Sequence, residues 1–260
     1  MRKLSESIWS DMQDRSSGKT VRQEDIITTN EDLRNRIQEL YKEQGEGETL
    51  DVSSLTKLIK CDDFSNLFSR FEEVKHIIGL KDWDVSEVTN MNHMFEDCSS
   101  FNCDLSKWNV SSVKDMRSMF SYCKKFNSDL SKWDVSNVEN MRSMFWGCIN
   151  FNSDLSNWDV SSVRDMHDMF WGCINFNSDL SKWNVSRVGD MRSMFSVCAD
   201  FNSDLSNWDV SSVKNMAYMF NGCDKFNSDL SKWDVSSVET AKSMFSGCES
   251  LKQIPSWYKE

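Results

Sequence analysis

Residues 101–125 read FNCDLSKWNVSSVKDMRSMFSYCKK, and the rest of the chain is read outward from them. Phe101, Leu105, Trp108, Val110, Val113, Met116, Met119, Phe120 and Cys123 are apolar, and nearly everything between them is polar. Two spacings coexist in this unit. From Val113 the apolar residues step by 3, 3, 1 and 3, a helical stripe, while Trp108 and Val110 alternate as in an extended strand. Ser111 precedes the stripe, where a hydroxyl can accept from an exposed helix N–H. The unit is therefore expected to run extended segment, serine cap, short helix.

The same unit recurs. Trp83, Trp108, Trp133, Trp158, Trp183, Trp208 and Trp233 stand at a fixed interval of 25, with Phe95 through Phe245 and Cys98 through Cys248 in phase. Serines at 86, 111, 136, 161, 186, 211 and 236 keep the same register. Residues 101–250 hold six full units. One unit cannot bury enough apolar surface to offset the entropy of ordering it, so neighbouring coils must supply the remainder by stacking. The ends are irregular, as terminal units are expected to be. Ile77, Leu80, Trp83, Val85 and Val88 form a unit one residue short, and Leu251, Ile254 and Trp257 repeat that shortening beside Pro255, the only proline. Farther upstream, Leu50-Asp51-Val52-Ser53-Ser54-Leu55 echoes the repeat, and residues 50–76 read as a degenerate capping coil ahead of the array at 77–260.

Phe-Asn-Ser-Asp-Leu-Ser-Lys-Trp-Asp-Val-Ser, followed by Asn-Met-Arg-Ser-Met-Phe at 140–145, resembles the BspA-like leucine-rich-repeat family. The match covers about three quarters of the chain. The resemblance implies an α/β repeat solenoid, leucine-rich-repeat-like, with one short strand and one short helix per coil. It implies no catalysis and no cofactor. Surface members of that family carry an export signal or lipoprotein cysteine, and this chain shows neither.

Residues 1–49 do not repeat. They are expected to hold one helix with Leu4, Ile8 and Met12 on a face beside Trp9, then a polar loop. A second helix follows, capped by Thr29-Asn30, with Leu33, Ile37, Leu40 and Tyr41 inward, and Gly45-Glu46-Gly47 ends it. This segment either covers the open end of the stack or anchors the chain in a larger assembly. The opening also resembles leader segments on similar repeats carried by gut phages, which implies a virion as that assembly.

Composition narrows the function. The 39% hydrophobic share, with 16 Phe, 15 Met and 11 Trp, supports a large core, and a formal charge of -11 argues against nucleic acid as partner. No apolar run is long enough for a membrane span or a signal peptide, so cytoplasm or a virion is expected, and the cell surface only after signal removal. His76, His93 and His167 have no zinc-site or triad context, and the cysteines lack metal spacing and read as small core hydrophobes. An Asp ladder (Asp104, Asp129, Asp154, Asp179, Asp204, Asp229) needs compensation by N–H groups, lysines or cations, and hydrogen bonds with lysine are favoured. A second ladder, Asn102 through Asn227, is expected to pair amides in register between coils.

One column escapes the pattern. The residue after the repeated Phe is Glu96, Ser121, Trp146, Trp171, Ser196, Asn221 or Ser246, so Trp146 and Trp171 are adjacent, partly exposed aromatics. They shield one another and the glycines beside them, or they form a contact site for a protein or a sugar ring. The chain is thus expected to be a non-enzymatic repeat protein. It acts as a structural or display component docked through Leu4, Ile8, Trp9 and Met12, or as a recognition module for protein or glycan with Trp146 and Trp171 on its surface.

Overall fold

A computed structural model describes residues 25–259. Helix α1 (Asn30–Glu43) begins where expected: the Thr29 hydroxyl accepts from the Asp32 N–H at 3.1 Å, and Leu33, Ile37 and Leu40 are buried. Its C-terminus runs into Gly45, whose φ of +89° turns the chain out of the helix. Strand β1 (Thr49–Asp51) then pairs in parallel with β2 (His76–Ile78), joining Leu50 to Ile77. Leu33, Ile37 and Leu40 share one continuous core with the repeats, so α1 covers the end of the stack rather than standing apart. Its Asn30 amide donates to the Asp63 and Ser65 carbonyls at 3.1 and 2.9 Å. The proposed anchor residues Leu4, Ile8, Trp9 and Met12 lie outside the described residues.

From residue 63 onward the chain winds in coils, linked by parallel bridges that run Asp63, Asn90, Asp115, Asn140, Asp165, Asp190, Asn215, Thr240. The apolar columns lie inside. Phe120 stacks on Phe145 at 5.7 Å and Phe145 on Phe170 at 5.6 Å, while Phe126 stacks on Phe151 and Phe151 on Phe176 beside them. From Trp108 onward the indoles of the repeated column also bond backward: Trp158 Nε1 donates to Leu130 O at 3.0 Å and Trp183 Nε1 to Leu155 O at 2.9 Å. The cysteines do the same, with Cys148 Sγ 2.9 Å from Phe120 O and Cys173 Sγ 3.0 Å from Phe145 O. The thiol is therefore a donor between coils as well as a filler of space.

The expected helix of each coil is absent among the described residues, and so is the extended strand at Trp108 and Val110. The reason is visible in where the N–H groups of 116–123 go. Met116, Ser118, Phe120 and Tyr122 donate to the carbonyls of Asn140, Arg142, Met144 and Trp146 in the next coil. Met119, Ser121 and Cys123 close three-residue turns within their own coil, and Arg117 N donates to Asp115 Oδ1 at 2.9 Å. Every donor is used, with none left for a helix ladder. To aim alternate peptides at the next coil, Ser118 and Tyr122 take left-handed φ values of +54° and +59°. A stripe with steps of three fits such turns as well as it fits a helix.

The serine cap is likewise corrected. Ser111 does not accept from a helix; its N–H and hydroxyl both donate to Asn109 Oδ1, at 3.2 and 2.7 Å. The same two-residue motif joins Ser106 to Asp104 and Arg117 to Asp115, so three side-chain turns punctuate each coil. Asp51 and Ser53 repeat the motif ahead of the array.

Candidate functional site

The two polar ladders resolve into structural roles. Asn102 Oδ1 accepts from the Asn127 backbone N–H at 2.8 Å, and Asn127, Asn152, Asn177 and Asn202 pass the bond onward; the amides do not pair with one another. The Asp ladder is compensated mainly by serine. The Ser131 hydroxyl and N–H hold the Asp129 carboxyl below the usual carboxylate range, with Lys132 adding to the effect. Between coils, Ser228 Oγ donates to Asp204 Oδ1 at 3.2 Å. A cavity of about 410 Å³ opens there, lined by Asn202, Asp204, Asn227, Asp229 and Lys232 among others. Among the described residues no three His, Cys, Asp or Glu side chains are grouped to hold a metal ion. No described helix is long and apolar enough to cross a membrane.

The column that escapes the repeat is different. Trp146 and Trp171 are half-buried and meet edge to face, with centroids 5.8 Å apart and planes at 88°. Tyr122, one coil earlier, lies 5.1 Å from Trp146. Beside them Ile149 and Ile174 are 39% and 44% exposed, and Val197 in the next coil is 39% exposed. Asn150 Nδ2 donates to Lys124 O and Asn175 Nδ2 to Ile149 O, so Lys124, Ile149 and Ile174 form one file next to the tryptophans. Tyr122, Trp146, Ile149, Trp171, Ile174 and Val197 thus make an apolar strip over four successive coils.

Mutual shielding accounts for part of this. Gly147 and Gly172 are buried beneath the aromatics, and a Cβ at Gly147 would stand 3.0 Å from the Tyr122 ring. Two features resist that account. Trp146 Nε1 is buried with no hydrogen-bond partner, as is Ser121 Oγ in the same column. An unpaired buried donor costs about 1–3 kcal/mol. Val197 sits at φ +61° in a column where Gly147, Gly172, Gly222 and Gly247 adopt +71° to +77°. A β-branched residue in that region is strained, and such strain concentrates at functional positions.

Sequence reasoning found Trp146 and Trp171 but missed Tyr122, Ile149, Ile174 and Val197. The signal was available. Ile149 and Ile174 stand where other coils have Ser99, Lys124, Ala199, Asp224 and Glu249, and Val197 where four have glycine.

A family model described as Mycoplasma protein of unknown function, DUF285, matches the chain twice, over residues 62–177 and 148–258. No curated protein and no solved structure matches it.

Proposed function

This chain belongs to the DUF285 repeat family, and from that premise we propose that it is a non-enzymatic recognition module, a BspA-like, leucine-rich-repeat-like solenoid whose outer surface binds a protein partner. The observation that carries this is the strip from Tyr122 to Val197. Its isoleucine side chains are exposed, its valine is strained and its Trp146 indole N–H is unpaired. Exposed apolar groups gathered in one place mark an interaction surface, whereas single ones do not. Tryptophan and tyrosine side chains in contact suit a protein hot spot. A sugar ring takes aromatic faces framed by polar groups, and the flanking isoleucines favour protein over glycan.

A second reading makes the chain a display component of a larger assembly, docked through residues 1–20, in cytoplasm or in a virion. One experiment separates the two. Cross-linking mass spectrometry on the native assembly should place cross-links along 122–197. They should disappear in the Trp146→Ser, Trp171→Ser double variant while melting moves by less than about 2 °C, the shift of a surface change. Cross-links gathered on residues 1–20 and indifferent to the double variant would sink the recognition reading and favour display.

A further inference from the structure

Resting on the recognition reading, we infer that the strip takes an acidic polypeptide segment carrying apolar anchors. The formal charge of the chain is -11, so a cationic surface on it has to be assembled locally. Around Trp146 it is. Arg142 is exposed four residues before Trp146 in the same coil, and Lys124 and Lys125 are exposed directly after Tyr122 and Cys123, in the coil whose tyrosine touches Trp146.

Several anions near the strip are occupied, although Asp97, at Tyr122's place one coil earlier, is not paired with a cation among the described residues. Asp115 binds Arg117 at 3.1 Å and Asp200 binds Lys225 at 2.6 Å. Asp168 Oδ2 lies 2.7 Å from His167 Nε2, with the Arg192 guanidinium closing over both. Asp165 Oδ1 and Asp190 Oδ1 accept from the backbone N–H groups of His167 and Arg192, and Asp190 Oδ2 faces the Asn215 amide. Among the described residues Arg142, Lys124 and Lys125 have no carboxylate within ion-pair distance, so the coils that carry Tyr122 and Trp146 also carry three exposed, unpaired cations. A partner with carboxylates around an apolar anchor meets both features at once. A basic partner would meet three unpaired cations, and a neutral sugar would leave them unused.

The test uses the full chain and two labelled synthetic peptides of equal length with leucine and tryptophan anchors at the same positions. One has glutamate at the remaining positions, the other lysine. Fluorescence anisotropy should show the acidic peptide binding at least about tenfold tighter, with affinity falling as salt is raised through the range that screens exposed charges. Trp146→Ser with Trp171→Ser should abolish binding. The reversal Lys124→Glu, Lys125→Glu, Arg142→Glu should remove the preference with melting unchanged, and the milder Lys124→Gln, Lys125→Gln, Arg142→Gln should reduce it. Equal binding of both peptides, no binding of either, or acidic binding untouched by charge reversal overturns the inference. If the tryptophan variant loses a partner that the charge variants keep, the recognition reading stands and the acidic assignment falls. Self-association of the chain through the strip, or a sugar retained by it on a glycan array, replaces the occupant and overturns it as well.

Discussion

A single backbone position carries much of what distinguishes the middle coils. The left-handed column holds Tyr122, Gly147, Gly172, Val197, Gly222 and Gly247 at nearly one φ, so the side chains there are compared on equal backbone. A left-handed residue other than glycine costs roughly 1–2 kcal/mol, and more weight falls on a β-branched one. Val197→Gly is expected to raise stability by about 1 kcal/mol, and Gly172→Ala to lower it by about as much. The alanine Cβ meets nothing nearer than Gly147 Cα at 3.8 Å, so its cost is conformational rather than steric. Chemical denaturation of the two variants measures both signs; a Val197→Gly chain weaker than the parent would show that the valine contributes packing instead of strain. At this scale the sequence displayed the apolar columns plainly, because Trp, Phe and Cys recur with every coil. The strain was hidden, since φ leaves no mark where serine or valine adopts it, and only the glycines at 147, 172, 222 and 247 hinted at the column.

The turn motif is the element from which each coil is built. Asp or Asn accepts from the residue two positions on, and it does so because a short side chain can bond a nearby N–H before a helix ladder forms. That competition explains why an apolar stripe of helical spacing gives turns here, and the Asp-x-Ser and Asn-x-Ser spacing was the overlooked sign. Ser161 holds the Asp159 carboxyl below the usual range by its hydroxyl and its N–H, the latter at 3.0 Å. A folded carboxyl depressed in this way stabilises the fold above the unfolded value of about 3.9, and that contribution is lost as pH falls through the folded value. Asp159→Asn keeps the acceptor, as Asn109 and Asn184 already do, and should leave neutral-pH stability nearly unchanged while weakening the acid dependence. Asp159→Ala should cost about 1 kcal/mol at neutral pH. Urea melts at pH 7 and below pH 4 check both; equal losses for Asn and Ala would show that charge, not the acceptor, matters.

Across the whole molecule the thiols report how far the coils act as one body. Burial pushes the Cys61 and Cys248 thiols up to about 11, and raises Cys123, Cys148, Cys173, Cys198 and Cys223 further. All are free. Alkylation at mildly alkaline pH should therefore be slow in the native chain, with Cys248 and Cys61 modified before the five interior residues, and those five at one common rate set by global opening. Separate rates for neighbouring interior cysteines would mean that coils open one at a time.

The peptides that bridge the coils give the stack a sign. Asp115 O accepts from Met91 N on one side, and the N–H of the same peptide, Met116 N, donates to Asn140 O on the other. The same sense holds at Ser118, Phe120 and Tyr122 and in every later coil up to 240. Like the iron filings of a magnet, these amide dipoles add along the axis instead of cancelling as in ordinary sheets. Two such edges brought together back to back would oppose donor to donor, and the two opposite edges acceptor to acceptor. An extension through these four positions therefore favours unlike edges, while the backward N–H groups of Lys114, Glu139, Arg164, Gly189 and Lys214 give each coil a smaller opposite component.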